Sequence, residues 1–137
     1  MTIHYTNARS FTAEQLERLF LSVNWESGKY PERLLKALQN CDTVYTAWDG
    51  DKLVGLISAI DDGEIAAYVH YLLVDPEYQG IGLGSALLHI VKEKYRNYLH
   101  FFLVAEHKAL VEYYERLGFE QESEATVMVY KERQNNG

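Results

Sequence analysis

The stretch Leu72-Leu73-Val74-Asp75-Pro76-Glu77-Tyr78-Gln79-Gly80-Ile81-Gly82-Leu83-Gly84 decides how this chain is read. An apolar run stops at Asp75-Pro76, and three glycines at alternate positions then lead into a helically spaced series, Leu83, Leu87, Ile90, Val91 and Lys94. Glycine lets the backbone come close to a ligand and turn its N–H groups inward. The start of a helix adds unpaired N–H groups and the positive end of the helix dipole. Together they predict a pyrophosphate site that needs no cationic side chain, and the turn itself contains none.

Two phosphate motifs compete for this turn. A Walker loop is excluded, because no Gly-Lys-Ser/Thr follows. A dinucleotide fingerprint fits better, since Gly80, Gly82 and Ser85 nearly satisfy it and Glu106 follows the next apolar segment. That motif opens a long βαβ series near the start of its domain. Here strands precede the turn, and only 31 residues follow Glu106.

Working outward, the sequence before the turn predicts an antiparallel meander. Residues 43–48 are rich in β-formers and end at Asp49-Gly50, a hairpin signal. Residues 53–60 form a second strand ending at Asp61-Asp62-Gly63, and 65–74 a third. Upstream, 3–6 reads as a short strand. Thr12 with Gln15 reads as a capping box opening a helix with Leu16, Leu19, Phe20 and Val23 on its apolar stripe. Residues 24–30 break that helix, and Pro31 starts another carrying Leu34, Leu35 and Leu38.

Downstream, a helix over 82–97 precedes an almost wholly apolar strand, 99–105, of the kind buried on both faces. A helix over 107–117 closes at Gly118, and 127–130 reads as a closing strand before a polar tail, 133–137, expected to fray. The expected fold class is α+β, a mixed, mostly antiparallel sheet flanked by helices, in one domain over 1–137.

Bulk properties exclude several functions. No stretch approaches the roughly 18 apolar residues of a membrane span, and the N-terminus lacks a signal peptide's basic start and apolar run. The expected location is cytoplasmic. A formal charge of -7 argues against nucleic acid and is compatible with a cationic small substrate. The single cysteine, Cys41, excludes an internal disulfide and a cysteine-based zinc cage, and reads as a buried thiol. His4, His89, His100 and His107 have no metal spacing, so no metal is expected.

The opening stretch closely resembles motif A of the GNAT N-acetyltransferases, whose signature Gln/Arg-x-x-Gly-x-Gly/Ala is matched by Gln79, Gly82 and Gly84. The run Tyr113-Tyr114-Glu115-Arg116-Leu117-Gly118-Phe119 resembles their motif B. The spacing between the two and the order of elements are similar along essentially the whole chain. Two positions depart from the pattern: Ile81 stands where a basic residue is common, and His107 where an asparagine often opens the second helix.

The resemblance implies acetyl-CoA as co-substrate, held by Leu72, Leu73, Val74, Gln79, Gly80, Ile81, Gly82, Leu83, Gly84, Ser85, His107 and Tyr114. It implies direct attack of an amine on the thioester, without an acyl-enzyme. The Leu72 N–H, released by a bulge in the strand, would serve the developing oxyanion, Val74 would pair with the pantetheine arm, and Tyr114 would protonate the departing thiolate.

A lysine-like amine must also lose its proton, at a cost of roughly 4 to 5 kcal/mol at neutral pH. His70 is the nominated base, with strand alternation putting its side chain on the face of Tyr68 and Leu72. A packed neutral histidine is the alternative reading, and Glu64 or an ordered water could replace it as base. Arylalkylamine acetyltransferases carry histidines on this strand, whereas histone acetyltransferases have a glutamate where this chain has Tyr68. The loop with Trp25, Glu26 and Tyr30 would border the acceptor, and with Tyr68 it suits a small amine, an arylalkylamine or polyamine. The open alternatives are a protein or peptide amine and a non-catalytic acetyl-CoA sensor. The expected assembly is a monomer or homodimer.

Overall fold

A computed structural model describes residues 2–131. The chain divides into one compact unit reaching to Leu103 and a second beginning at Val104.

In the first unit, β1 (His4–Thr6), β2 (Thr43–Asp49), β3 (Lys52–Asp61), β4 (Ala66–Val74) and β5 (His100–Leu103) form one sheet in the order β1-β2-β3-β4-β5. The first four pair antiparallel and β5 joins β4 in parallel. Helices α1 (Ala13–Ser22) and α2 (Pro31–Asn40), joined by a 3₁₀ turn over Glu26–Lys29, cover one face. Helix α3 (Leu83–Lys94) packs against β2, β3 and β4. With α4 (Lys108–Arg116) in the second unit, the fold is α+β.

Local signals act where they were read. Thr12 caps α1 reciprocally: its hydroxyl accepts the Gln15 N–H at 3.1 Å, and the Gln15 amide oxygen accepts the Thr12 N–H at 2.9 Å. Pro31 takes the first turn of α2. The β2–β3 loop is Gly50-Asp51, with Gly50 at φ +59° in a two-residue hairpin turn that needs positive φ. Leu16, Leu19, Phe20, Leu34 and Leu38 are buried against Val44, Leu56 and Leu73 of the sheet. Each such side chain stabilises the fold by about 1.5–3 kcal/mol.

On the other face, α3 lies unusually close to β3. A Cβ at Gly55 would stand 2.5 Å from Leu83 Cδ2 and 3.2 Å from Leu87 Cδ1, so only glycine lets Leu83 seat there.

In the second unit, α4 ends in a Schellman motif. The Phe119 N–H donates to the Tyr114 carbonyl at 3.0 Å and the Gly118 N–H to the Glu115 carbonyl at 3.1 Å, with Gly118 at φ +98°. The Phe119 ring meets Tyr114 edge-on at 6.0 Å, the apolar contact that accompanies this cap.

Three expectations are corrected. The run 127–130 is not in strand conformation, because a β-branched composition is not by itself enough to make a strand. The apolar segment 99–105 yields only the four residues of β5, which pair with β4 among the described residues and alternate exposed and half-buried, so it is not buried on both faces. Helix α3 stops at Lys94, because Tyr95 leaves helical geometry as its C-cap. The tail 133–137 lies outside the described residues. Among the described residues, no helix is long and apolar enough to cross a membrane.

Candidate active site

The site is built on a fault in β4. Opposite β3, Ser58 pairs with Tyr71 and Ala59 with Val69, so His70 is an extra residue, a β-bulge. The His70 and Tyr71 rings consequently fall on one face and stack at 4.0 Å. Pairing with β5 ends at Val69, just before the bulge.

Beyond the bulge, backbone direction follows from two bonds. The Tyr71 N–H donates to Ser58 Oγ at 3.2 Å and the Asp75 N–H to the Val54 carbonyl at 2.9 Å, both toward β3. Alternation then turns the Leu72 and Val74 N–H groups away from β3, toward the edge where β5 has already parted. The Val74 carbonyl accepts the Gln79 side-chain amide at 3.0 Å, which ties the strand end to the turn.

The turn is anchored from three directions. Buried Asp75 receives Arg18 of α1 at 2.8 Å, lies 3.9 Å from Lys52 of β3, and accepts the Glu77 N–H at 2.9 Å. Arg18 also donates to the Leu53 carbonyl. Tyr78 donates to Asp49 of β2 at 2.5 Å, and Lys52 pairs with Glu77 at 3.4 Å. Burial alone would raise the Asp75 pKa, but Arg18, the Glu77 N–H and the Lys52 charge together hold it below the usual carboxylate value.

Past this anchor, Gly80 and Gly82 adopt φ of +83° and +87°, with no atom within 4 Å of where a Cβ would stand. Gly82 is the N-cap of α3, and no side chain caps the helix start. Backbone donors with open space over them, at the positive end of a twelve-residue helix, fit a pyrophosphate.

An open cleft of about 330 Å³ lies over Tyr71, lined also by Glu26, Ser27, Tyr30, Arg33, Leu34 and Ala37. Ser27 Oγ and Tyr71 Oη hydrogen-bond at 2.7 Å. In the second unit, Tyr114 is buried, and that burial, with the charges at Tyr113 and Glu106, pushes its phenol up to about 12.

The family model for the GNAT acetyltransferase domain matches residues 7–130. The chain belongs to the GNAT acetyltransferase family.

Among solved structures, a GNAT-family acetyltransferase of Streptococcus pneumoniae is 30% identical, with 94% of this chain and 97% of that one covered and a TM-score of 0.82. An N-acetyltransferase of Methanocaldococcus jannaschii is 36% identical over 69 residues, covering 47% of this chain and 30% of its own. The chloroplastic GCN5-related N-acetyltransferase 2 of Arabidopsis thaliana is 36% identical over 74 residues, covering 53% of this chain and 29% of its own. The chain thus spans less than a third of these two curated relatives.

Within this GNAT domain, Leu72, Leu73, Val74, Gln79, Gly80, Ile81, Gly82, Leu83, Gly84 and Ser85 form one continuous strand–turn–helix. Leu83 is buried over Gly55 and Ile81 is exposed. Leu73 faces the α1–α2 core. His107 is the N-cap of α4 without a side-chain bond to the helix; its carbonyl accepts the Leu110 and Val111 N–H groups.

Of the nominated acceptor residues, Glu26 and Tyr30 line the cleft. Trp25 instead packs on the core, 6.0 Å from the Phe20 ring and 5.8 Å from Tyr71. Tyr68 stacks on Phe102 at 5.1 Å and lies 6.0 Å from His70. The bulge also corrects the face of His70. It shares a face with Tyr68 and Tyr71, whereas Leu72 lies on the opposite one.

The His70 ring keeps contact with solvent, yet partial burial lowers its pKa below the ordinary histidine value. Cys41 is half-buried rather than buried; that partial burial raises its thiol, whose Sγ donates to the Thr43 carbonyl at 3.3 Å. Arg33 and Tyr71 were missed as cleft residues. Helical spacing from Tyr30 to Arg33 could have found the first, but only the bulge turns Tyr71 toward the cleft.

Proposed function

We propose that the chain transfers the acetyl group of acetyl-CoA to the primary amine of a small molecule by direct attack. The observation that carries this reading is the coincidence of three features on one short stretch. They are a bulge at His70, outward N–H groups at Leu72 and Val74, and a glycine turn opening α3.

Acetyl-CoA supplies an activated carbonyl and a thiol leaving group. The backbone of Gly80, Gly82 and Gly84 holds the pyrophosphate, and Val74 pairs along the pantetheine arm. The Leu72 N–H donates to the thioester oxygen as negative charge grows there, a contribution typically worth about 10²- to 10³-fold in rate. His70 takes the amine proton. Its lowered pKa keeps the imidazole neutral, and so able to accept, at neutral pH.

Tyr114 is the nominated donor to the departing sulfur. With the phenol at about 12, outright transfer to a thiolate of pKa about 8.5 is uphill by about 5 kcal/mol. Tyr114 therefore works as a hydrogen-bond donor to the sulfur while charge builds. The cleft over Tyr71 has a volume suited to a small molecule, which favours that acceptor over a protein chain.

The test is an amine panel with acetyl-CoA, following free thiol and the mass of the acetylated product. Tight acetyl-CoA binding without thiol release for any amine would replace the enzyme by a coenzyme sensor.

A further inference from the structure

We propose that the cleft over Tyr71 takes an amine carrying a carboxylate, of the α-amino-acid type with an apolar or aromatic side chain. The ligand's role as acceptor rests on the acetyl-transfer reading above. The cleft is lined by one acid and one base, Glu26 and Arg33. Neither has an ion pair or hydrogen bond with another described residue, and Arg33 meets only the Tyr30 ring, 5.7 Å from its centroid. Two opposite charges that border the same cleft without joining leave both ends of a zwitterion a partner.

Each wall has a chemical counterpart in such a ligand. The planar guanidinium fork of Arg33 matches a carboxylate. Glu26 draws in the ammonium. Leu34, Ala37 and the Tyr30 ring accept an apolar side chain. The Ser27–Tyr71 hydrogen bond makes a polar floor. Tyr71 also stacks on His70 at 4.0 Å, so an amine over Tyr71 lies beside the nominated base. An exposed arginine in the cleft repels a polyamine, which the net acidity of the chain alone would have favoured.

The test titrates phenylalanine, tyrosine, leucine and methionine, each beside its decarboxylated amine, into the CoA-loaded protein by calorimetry. Thiol release from acetyl-CoA is followed in parallel. At least one amino acid is expected to bind about tenfold tighter than its amine, the scale of an exposed charged hydrogen bond. Arg33→Gln should erase the gap, Arg33→Lys should restore part of it, and Glu26→Gln should weaken both compounds alike. If no amino acid outbinds its amine, or the gap survives Arg33→Gln, the inference is overturned. Arg33-dependent binding with no thiol release would instead sink the acetyl-transfer reading and leave the ligand class standing.

Discussion

The rings of His70 and Tyr71, neighbours in the chain, stack at 4.0 Å with 20° between their planes. Adjacent strand residues normally point to opposite faces, so this contact is the signature of the bulge. It puts the nominated base beside the cleft over Tyr71.

His70→Gln is expected to lower kcat/KM most near neutral pH and less at high pH, where free amine is abundant. Because burial lowers the His70 pKa, the acid limb of the wild-type profile should fall below pH 6.5. The linkage runs the same way. Between the folded value and 6.5 the unfolded chain binds more protons, so stability should rise with pH through that window. A profile unchanged in height and shape would remove His70 from the mechanism.

Tyr114→Phe keeps the ring and its contact with Phe119, so fold and coenzyme affinity should survive. We expect kcat to drop by about 10- to 300-fold with little change in KM. With the phenol at about 12, the hydroxyl stays protonated across the usable range, so no alkaline limb near pH 10 should belong to it. Tyr113→Phe, about 100° round the helix, should leave turnover nearly unchanged. Reversed effects of the two variants would show the wrong tyrosine nominated.

Gly82→Val forces a β-branched residue to φ +87°. That strain costs about 1–3 kcal/mol, and the side chain fills the space above the helix start. Calorimetry should find acetyl-CoA binding abolished while a cooperative melt persists. Normal binding would move the pyrophosphate elsewhere.

Asp75→Asn removes the charge that Arg18 and Lys52 share. A loss of about 2 kcal/mol at pH 7 is expected by denaturant unfolding, with weaker acetyl-CoA binding as the turn loosens. The folded pKa of Asp75 is depressed, so its stabilisation is complete above the ordinary value of 3.8 and is lost as pH falls through the folded one. Wild type and variant should therefore converge in strongly acidic solution. A constant gap would assign the effect to packing.

What could be read from the residues alone was local. The Thr12–Gln15 box, the Gly50 hairpin, the turn at Gly80 and Gly82 and the cap at Gly118 each depend on a few consecutive residues, and each forms. The misreadings are long-range. A ladder partner decides whether 127–130 is a strand and how much of 99–105 becomes β5. The position of the bulge depends on the match between β3 and β4, so alternation within β4 could put His70 with Tyr68 but not Leu72 on the opposite face. Gly55 was silent for the same reason, since its demand comes from Leu83, 28 residues later. The Asp75 anchor draws on α1, whose Arg18 looks like any surface arginine.

The extra residue in β4 also makes deletion unlike substitution. The ladder counts Val69 and Tyr71 as consecutive partners of Ala59 and Ser58, with His70 outside that count, so Tyr71 and Leu73 face the core. A side-chain exchange at position 70 alters chemistry and leaves that count intact. Removing the residue would keep it too: Tyr71 would follow Val69 in a regular ladder, with Tyr71 and Leu73 still on the core side and Leu72 and Val74 still opposite. Deletion of His70 should therefore leave cooperative melting in place, as His70→Gln does, while removing the bulge itself. Position 70 makes the bulge and leaves the parity of the strand to its neighbours.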